Sequence, residues 1–176
     1  MQLIRHFAVA GAAGSLLLAL PAACSPAAPE APAAPGPQAS QAEDHSWMDE
    51  AQTPGDWRYV AETTETAAIF GTGQEDGVQL IIACDILASR VSISRIGASE
   101  GETSMIIRTE TQTGALLAEP AVSFAPLLLA HVDARDPLLD AIAFSKGRFA
   151  VEVGGTEPIY VPAYPEITRV IEDCRS

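Results

Sequence analysis

The sequence predicts a mainly β domain, an antiparallel sandwich or small barrel with two short helices packed on it. Eight runs are apolar or alternate with period two: DWRYV, TAAIF, VQLIIAC, RVSISRI, TSMIIRTE, AVSFAPLLLAHV, RFAVEV and PIYVP. Alternation of that kind places one face of a strand against a core. Between the runs stand GTGQEDG, GASEGE and VGGTEP, where glycine admits positive φ and acidic neighbours favour turns. The spacing, roughly 8 to 14 residues from run to run, is that of a meander, a sandwich or a small barrel.

Two segments break the β pattern. In DPLLDAIAFSKG, Asp136 can cap, Pro137 suits the first helical position, Leu138, Leu139 and Ile142 make an apolar face, and Gly147 is placed to stop the helix. In PEITRVIEDC, Pro165 opens a helix on which Ile167, Val170, Ile171 and Cys174 fall at i, i+3, i+4 and i+7. That spacing buries one face of the helix.

The chain has 176 residues, and residues 47–176 have the length of a single domain. Ahead of them lies a different kind of sequence. Arg5 is followed by an uncharged apolar run from Phe7 to Leu20 that stops at Pro21. At about 14 residues it falls short of the roughly 20 a spanning helix needs, which is the layout of a signal peptide over residues 1–23. The small-residue box Ala22–Ala23 before Cys24 resembles the bacterial lipoprotein signal, with Leu20 one position further back than usual and Pro21 in its place. That resemblance implies cleavage before Cys24 and lipid on its sulfur. Ordinary cleavage between Ala22 and Ala28 is the alternative. Ser25 does not match the Asp that marks inner-membrane retention, so the resemblance implies the periplasmic side of the outer membrane. Residues 24–46 then form a tether rich in Pro and Ala, unable to bury enough apolar surface to order itself. In polyproline II form about 22 residues reach roughly 70 Å.

Charge narrows the partners. The formal net charge is −13, with 23 acidic residues against 10 lysines and arginines. Such a chain is a poor partner for nucleic acid or anionic headgroups. No internal repeat and no cofactor-binding motif is present: the glycines of GTGQEDG lack the spacing and the following helix of a phosphate loop. The serines Ser92, Ser94, Ser123 and Ser145 have no nucleophile elbow around them. His131, Asp133 and Asp136 in HVDARD could be pictured on a metal, but zinc catalysis needs three protein ligands in a closed geometry. A strand end followed by a capped helix accounts for the same residues. Lys146 and Arg148 in SKGRF, with Phe144 and Phe149 beside them, make a candidate partner-facing corner, although cations also suit a helix C-terminus.

With Cys24 used for lipid, Cys84 and Cys174 remain as an even pair in an oxidising compartment, which predicts a disulfide. Phase agrees: Cys84 shares a strand face with Leu80 and Ile82, and Cys174 shares the apolar face of the last helix. Two separate buried thiols are the alternative.

The segments DPLLDAIAFSKGRFAVEVGG and IYVPAYPEITRVIEDCR, with GDWRY and CD upstream, resemble a family of uncharacterised alphaproteobacterial envelope lipoproteins over roughly residues 55–175. The resemblance implies no known activity. The early Trp, paired cysteines and all-β layout are also similar to the invasion-associated locus B proteins, by analogy only. The sequence-level expectation is a lipid-anchored periplasmic domain, noncatalytic, that binds an envelope protein or a cell-wall component. The alternatives are a small hydrolase using acidic residues in a cleft, and an inhibitor-like module presenting GASEGE or GTGQEDG to an envelope hydrolase.

Overall fold

The computed structural model describes residues 45–74 and 77–176. The signal peptide, Cys24 and nearly all of the expected tether lie outside the described residues. Residues 42–176 form one compact unit that contains every strand, both helices and the whole core.

A 3-10 turn at Ser46–Asp49 buries Trp47 and leads into nine strands: β1 (Asp56–Ala61), β2 (Glu65–Gly71), β3 (Val78–Asp85), β4 (Arg90–Ile96), β5 (Thr103–Arg108), β6 (Thr113–Val122), β7 (Pro126–Asp133), β8 (Arg148–Val153) and β9 (Ile159–Pro162). Helix α1 (Pro137–Ala143) lies between β7 and β8, and α2 (Pro165–Cys174) follows β9. All nine strands belong to one curled antiparallel sheet in the order β1-β2-β3-β4-β7-β6-β5-β8-β9. The mainly β antiparallel fold with two packed helices is as read from the sequence; in place of two sandwiched layers or a fully closed barrel, the strands form one curled sheet, a half-barrel. The three strands β5–β6–β7 enter the sheet in reverse order. The chain therefore crosses the lower end of the sheet between β4 and β5, and the upper end, through α1, between β7 and β8.

The concave face is the core. Inward side chains follow strict alternation: Ala68 and Phe70 on β2, Leu80, Ile82 and Cys84 on β3, Val91 and Ile93 on β4, Met105 and Ile107 on β5, Phe149 and Val151 on β8, and Ile159 and Val161 on β9. Helix α2 lies over β1–β4 and buries Ile167, Val170, Ile171 and Cys174. Burying each aliphatic side chain stabilises by about 1.5–3 kcal/mol, so the helix is held by its apolar stripe. A disulfide joins Cys174 to Cys84 across a Cα–Cα distance of 5.5 Å, and both residues are buried. The even pair read from the sequence is thus realised.

Asp136 caps α1 as predicted, accepting the Leu138 N–H at 2.8 Å, with Pro137 in the first turn. Gly147 does not stop this helix. The helix ends at Ala143, and Gly147, at φ 82°, belongs to the turn that starts β8. Strand β6 is the element the period-two reading missed. It is ten residues long, and its sequence TGALLAEPAV carries Gly114 and Pro120 within it. Gly114 sits where a Cβ would meet the Leu138 side chain at 2.6 Å, so the absence of a side chain lets α1 settle onto the sheet.

Because the strand count is odd, β1 and β9 run in the same direction at the two edges. Few hydrogen bonds close this seam. The Thr53 N–H donates to Tyr160 O at 2.9 Å, the Tyr160 N–H donates to Thr53 Oγ1 at 2.9 Å, and Trp57 Nε1 donates to Pro162 O at 2.8 Å. Trp57 also packs at 5.2 Å, centroid to centroid, on Phe70, in tilted geometry. At the lower end Arg95 turns inward, 8% exposed, donating from Nη1 to the Gln79 and Ile96 carbonyls and from Nη2 to that of Glu157. Burial pushes this guanidinium below its ordinary pKa. It acts as a brace between β3, β4 and the β8–β9 turn.

Candidate functional site

A strand with its inward side chains in the core needs no apolar residues on the other face. Strands β2, β3 and β4 have them nonetheless. Pairing puts Arg58, Ile69, Ile81 and Ser94 in one cross-strand row on the convex face, and Asp56, Gly71 and Val78 in the row below, with Ile96 alongside. Gly71 leaves a trough between the rows. A Cβ there would lie 2.2 Å from Gly77 O, because the β2–β3 connection folds back at a bulge between Phe70 and Gly71. Thr72 and Gln74 from that connection form one wall, and Phe124 and Ala125 from the β6–β7 turn form another. Phe124 is 58% exposed, and the groove encloses about 1110 Å³. This is slightly above the range typical of small-molecule sites, roughly 300–1,000 Å³.

Of the described ionisable residues, Asp56 and Arg58 line the groove. Asp56 Oδ1 accepts the Trp57 N–H at 2.9 Å. Arg58 is exposed, and its side chain has no hydrogen-bond or ion-pair partner among the described residues.

A second, shallower hollow of about 650 Å³ lies between α1 and α2, with Phe144 and Tyr164 at its rim. Below it Tyr59 O–H donates to Asp173 Oδ2 at 2.6 Å, and the Arg169 guanidinium stacks 3.9 Å from the Tyr59 ring centroid. The Asp173 hydrogen bond, burial and the Asp173 charge together push the Tyr59 hydroxyl above its usual range, against a smaller opposing effect of Arg169.

The corner read from SKGRF is divided by the fold. Lys146 Nζ pairs with Glu110 at 2.9 Å, which raises its pKa, and Arg148 Nη1 donates to the Glu50 carbonyl. Phe144 is exposed, but Phe149 faces inward and is fully buried, so it cannot meet a partner beside them. In HVDARD, His131 is exposed on the outer face of β7, Asp133 accepts the Arg135 N–H and Asp136 caps α1. No group of three His, Cys, Asp or Glu side chains among the described residues is placed to hold a metal ion. Ser145, also singled out by the sequence, donates its hydroxyl to Arg148 O at 2.6 Å and accepts the Glu110 N–H. It is a turn residue.

No protein-family model, curated protein or solved structure matches this chain.

The groove residues were missed in the sequence because the pattern that found the strands takes apolar positions as core. The available signal was excess: VQLIIAC and TAAIF are apolar at consecutive positions, more than one buried face uses.

Proposed function

We propose that this chain is a noncatalytic binding domain of the cell envelope, held by lipid on Cys24 at the periplasmic side of the outer membrane and meeting its ligand in the convex-face groove. One observation carries the binding reading: a rigid, doubly paired sheet spends Ile69, Ile81, Ile96 and Phe124 on an open trough. Exposed apolar surface of that kind marks an interaction site. Acid–base hydrolysis with two carboxylates needs both beside one cleft; among the described residues the groove's lining has Asp56 as its one carboxylate, which favours the binding reading.

Two experiments test the reading separately. Immobilised residues 42–176 should retain a stoichiometric component of envelope extract, and Phe124→Asp, at an exposed turn that spares the core, should lose it. Retention unchanged by Phe124→Asp rejects the groove. For the anchor, Cys24→Ser should release the protein from membranes, and an inhibitor of lipoprotein signal peptidase should make the wild-type precursor accumulate. A soluble wild-type protein whose processing ignores the inhibitor identifies ordinary secretion instead.

A further inference from the structure

The chemistry of the groove narrows its occupant, given the binding reading above. Its floor belongs to β2 and β3, each paired on both sides, so their backbone N–H and C=O groups are taken up by the sheet ladders. A peptide laid across this floor would find little to pair with its own amides. Desolvating an amide without a partner costs about 1–3 kcal/mol. An acyl chain carries no such groups. The apolar track from Ile69 through Ile81 to Ile96 and Phe124 crosses strands rather than following one. From β1 to β4 it spans three strand steps of about 4.8 Å, roughly 14 Å, close to the extended length of roughly a dozen methylenes.

The two ends of the track differ. At the β4 end stand Ile96, Phe124 and Ala125. At the β1 end stands Arg58, in the same cross-strand row as Ile69 and Ile81 and without an ion-pair partner among the described residues. Asp56 lies two residues away on the same face, and one of its carboxylate oxygens is already engaged by the Trp57 N–H. A guanidinium with no ion-pair partner among the described residues is the feature of this rim that attracts an anion.

We propose that the groove binds a single-chain amphiphile of the fatty-acid kind, with its hydrocarbon along Ile69, Ile81 and Ile96 under Phe124 and its anionic head on Arg58. The ligand is complementary at both points: it asks for apolar contact along the floor and for one cation at the end.

Titration of delipidated residues 42–176 with dodecanoate and dodecylammonium below their micelle concentrations and dodecanol below its solubility limit tests this, with tryptophan fluorescence and calorimetry as readouts. Dodecanoate should bind about tenfold or more tighter than dodecanol, a charge-assisted hydrogen bond being worth at least that factor, and dodecylammonium should be weakest. Arg58→Met, on an exposed side chain, should abolish the preference for dodecanoate while leaving dodecanol within about twofold. Phe124→Asp should weaken both. Equal binding of dodecanoate and dodecanol, an unchanged preference in Arg58→Met, or no binding of either overturns the proposal. The extract experiment tells this failure from failure of the binding reading: a component retained by the wild type and lost in Phe124→Asp keeps the groove as a site for another ligand, and loss of both removes the site.

Discussion

Removing the bridge between Cys84 and Cys174 should lower the melting temperature of the domain in a single cooperative step. The bond closes a loop with a sequence separation of 90 residues. In the chain-entropy model such a loop restricts the unfolded chain by about 4.6 kcal/mol, and typical native bridges deliver 2–4 kcal/mol. With an unfolding entropy of about 0.27 kcal/mol/K for a domain of this size, that corresponds to a fall of about 7–17 °C. The structure also says how the loss should look. Ile167, Val170 and Ile171 remain buried without the sulfur link, and their combined burial, about 5–9 kcal/mol on the transfer scale, keeps α2 on the sheet. Calorimetry of Cys84→Ala/Cys174→Ala should therefore show one transition with matching calorimetric and van't Hoff enthalpies, shifted down. A fall below about 3 °C would refute the loop-entropy argument. A separate early transition, with α2 amides exchanging ahead of the strands, would refute the claim that the apolar stripe holds the helix.

Three further outcomes follow from the packing. Gly71→Ala should destabilise the domain by about 1–3 kcal/mol or more, as overpacking against backbone does, because its Cβ would fall 2.2 Å from Gly77 O; urea denaturation checks it. Asp136→Ala should cost about 1 kcal/mol through the lost cap on Leu138, read in the same denaturation series. The Tyr59 hydroxyl, raised chiefly by its hydrogen bond to Asp173, stabilises the fold fully below the unfolded tyrosine pKa of about 10 and ceases to as pH climbs through the higher folded value. Tyr59→Phe should then be less stable than wild type at pH 8 and show a shallower loss above pH 10; parallel slopes in melts from pH 8 to 11 would reject it. Tyr160, raised chiefly by burial, leaves part of the slope in place.

Most of the secondary structure was legible because one force wrote it. Period-two alternation located β1–β5 and β7–β9, and the i, i+3, i+4, i+7 spacing located α2. Strand β6 was hidden because its side chains alternate between small and exposed, and a proline in a strand reads as a break. Pro120 is tolerated opposite Leu128 because it lies beyond Ala118, the last β6 residue paired with β5, where β6 is paired on the β7 side only. The order β4-β7-β6-β5-β8 was not legible either, since it depends on which edges meet after collapse. The groove joins β1–β4 to a turn near residue 124, and no local pattern links such distant residues. The disulfide was readable only because parity and phase agreed, once Cys24 had been set aside for lipid.

The direction of the seam has a consequence for association. Nine antiparallel strands bring their two edges together in parallel, and here β1 and β9 form no ladder with each other, so their unpaired rims would be templates for a neighbour's strand. Here the residues just before β1 act as a gasket. Thr53 occupies both the amide and the carbonyl of Tyr160 on the free rim of β9, and the Trp57 indole takes the carbonyl of Pro162. With those groups spent, a foreign strand arriving at β9 finds no amide or carbonyl at Tyr160 to copy, so strand addition at that rim is opposed from within the chain.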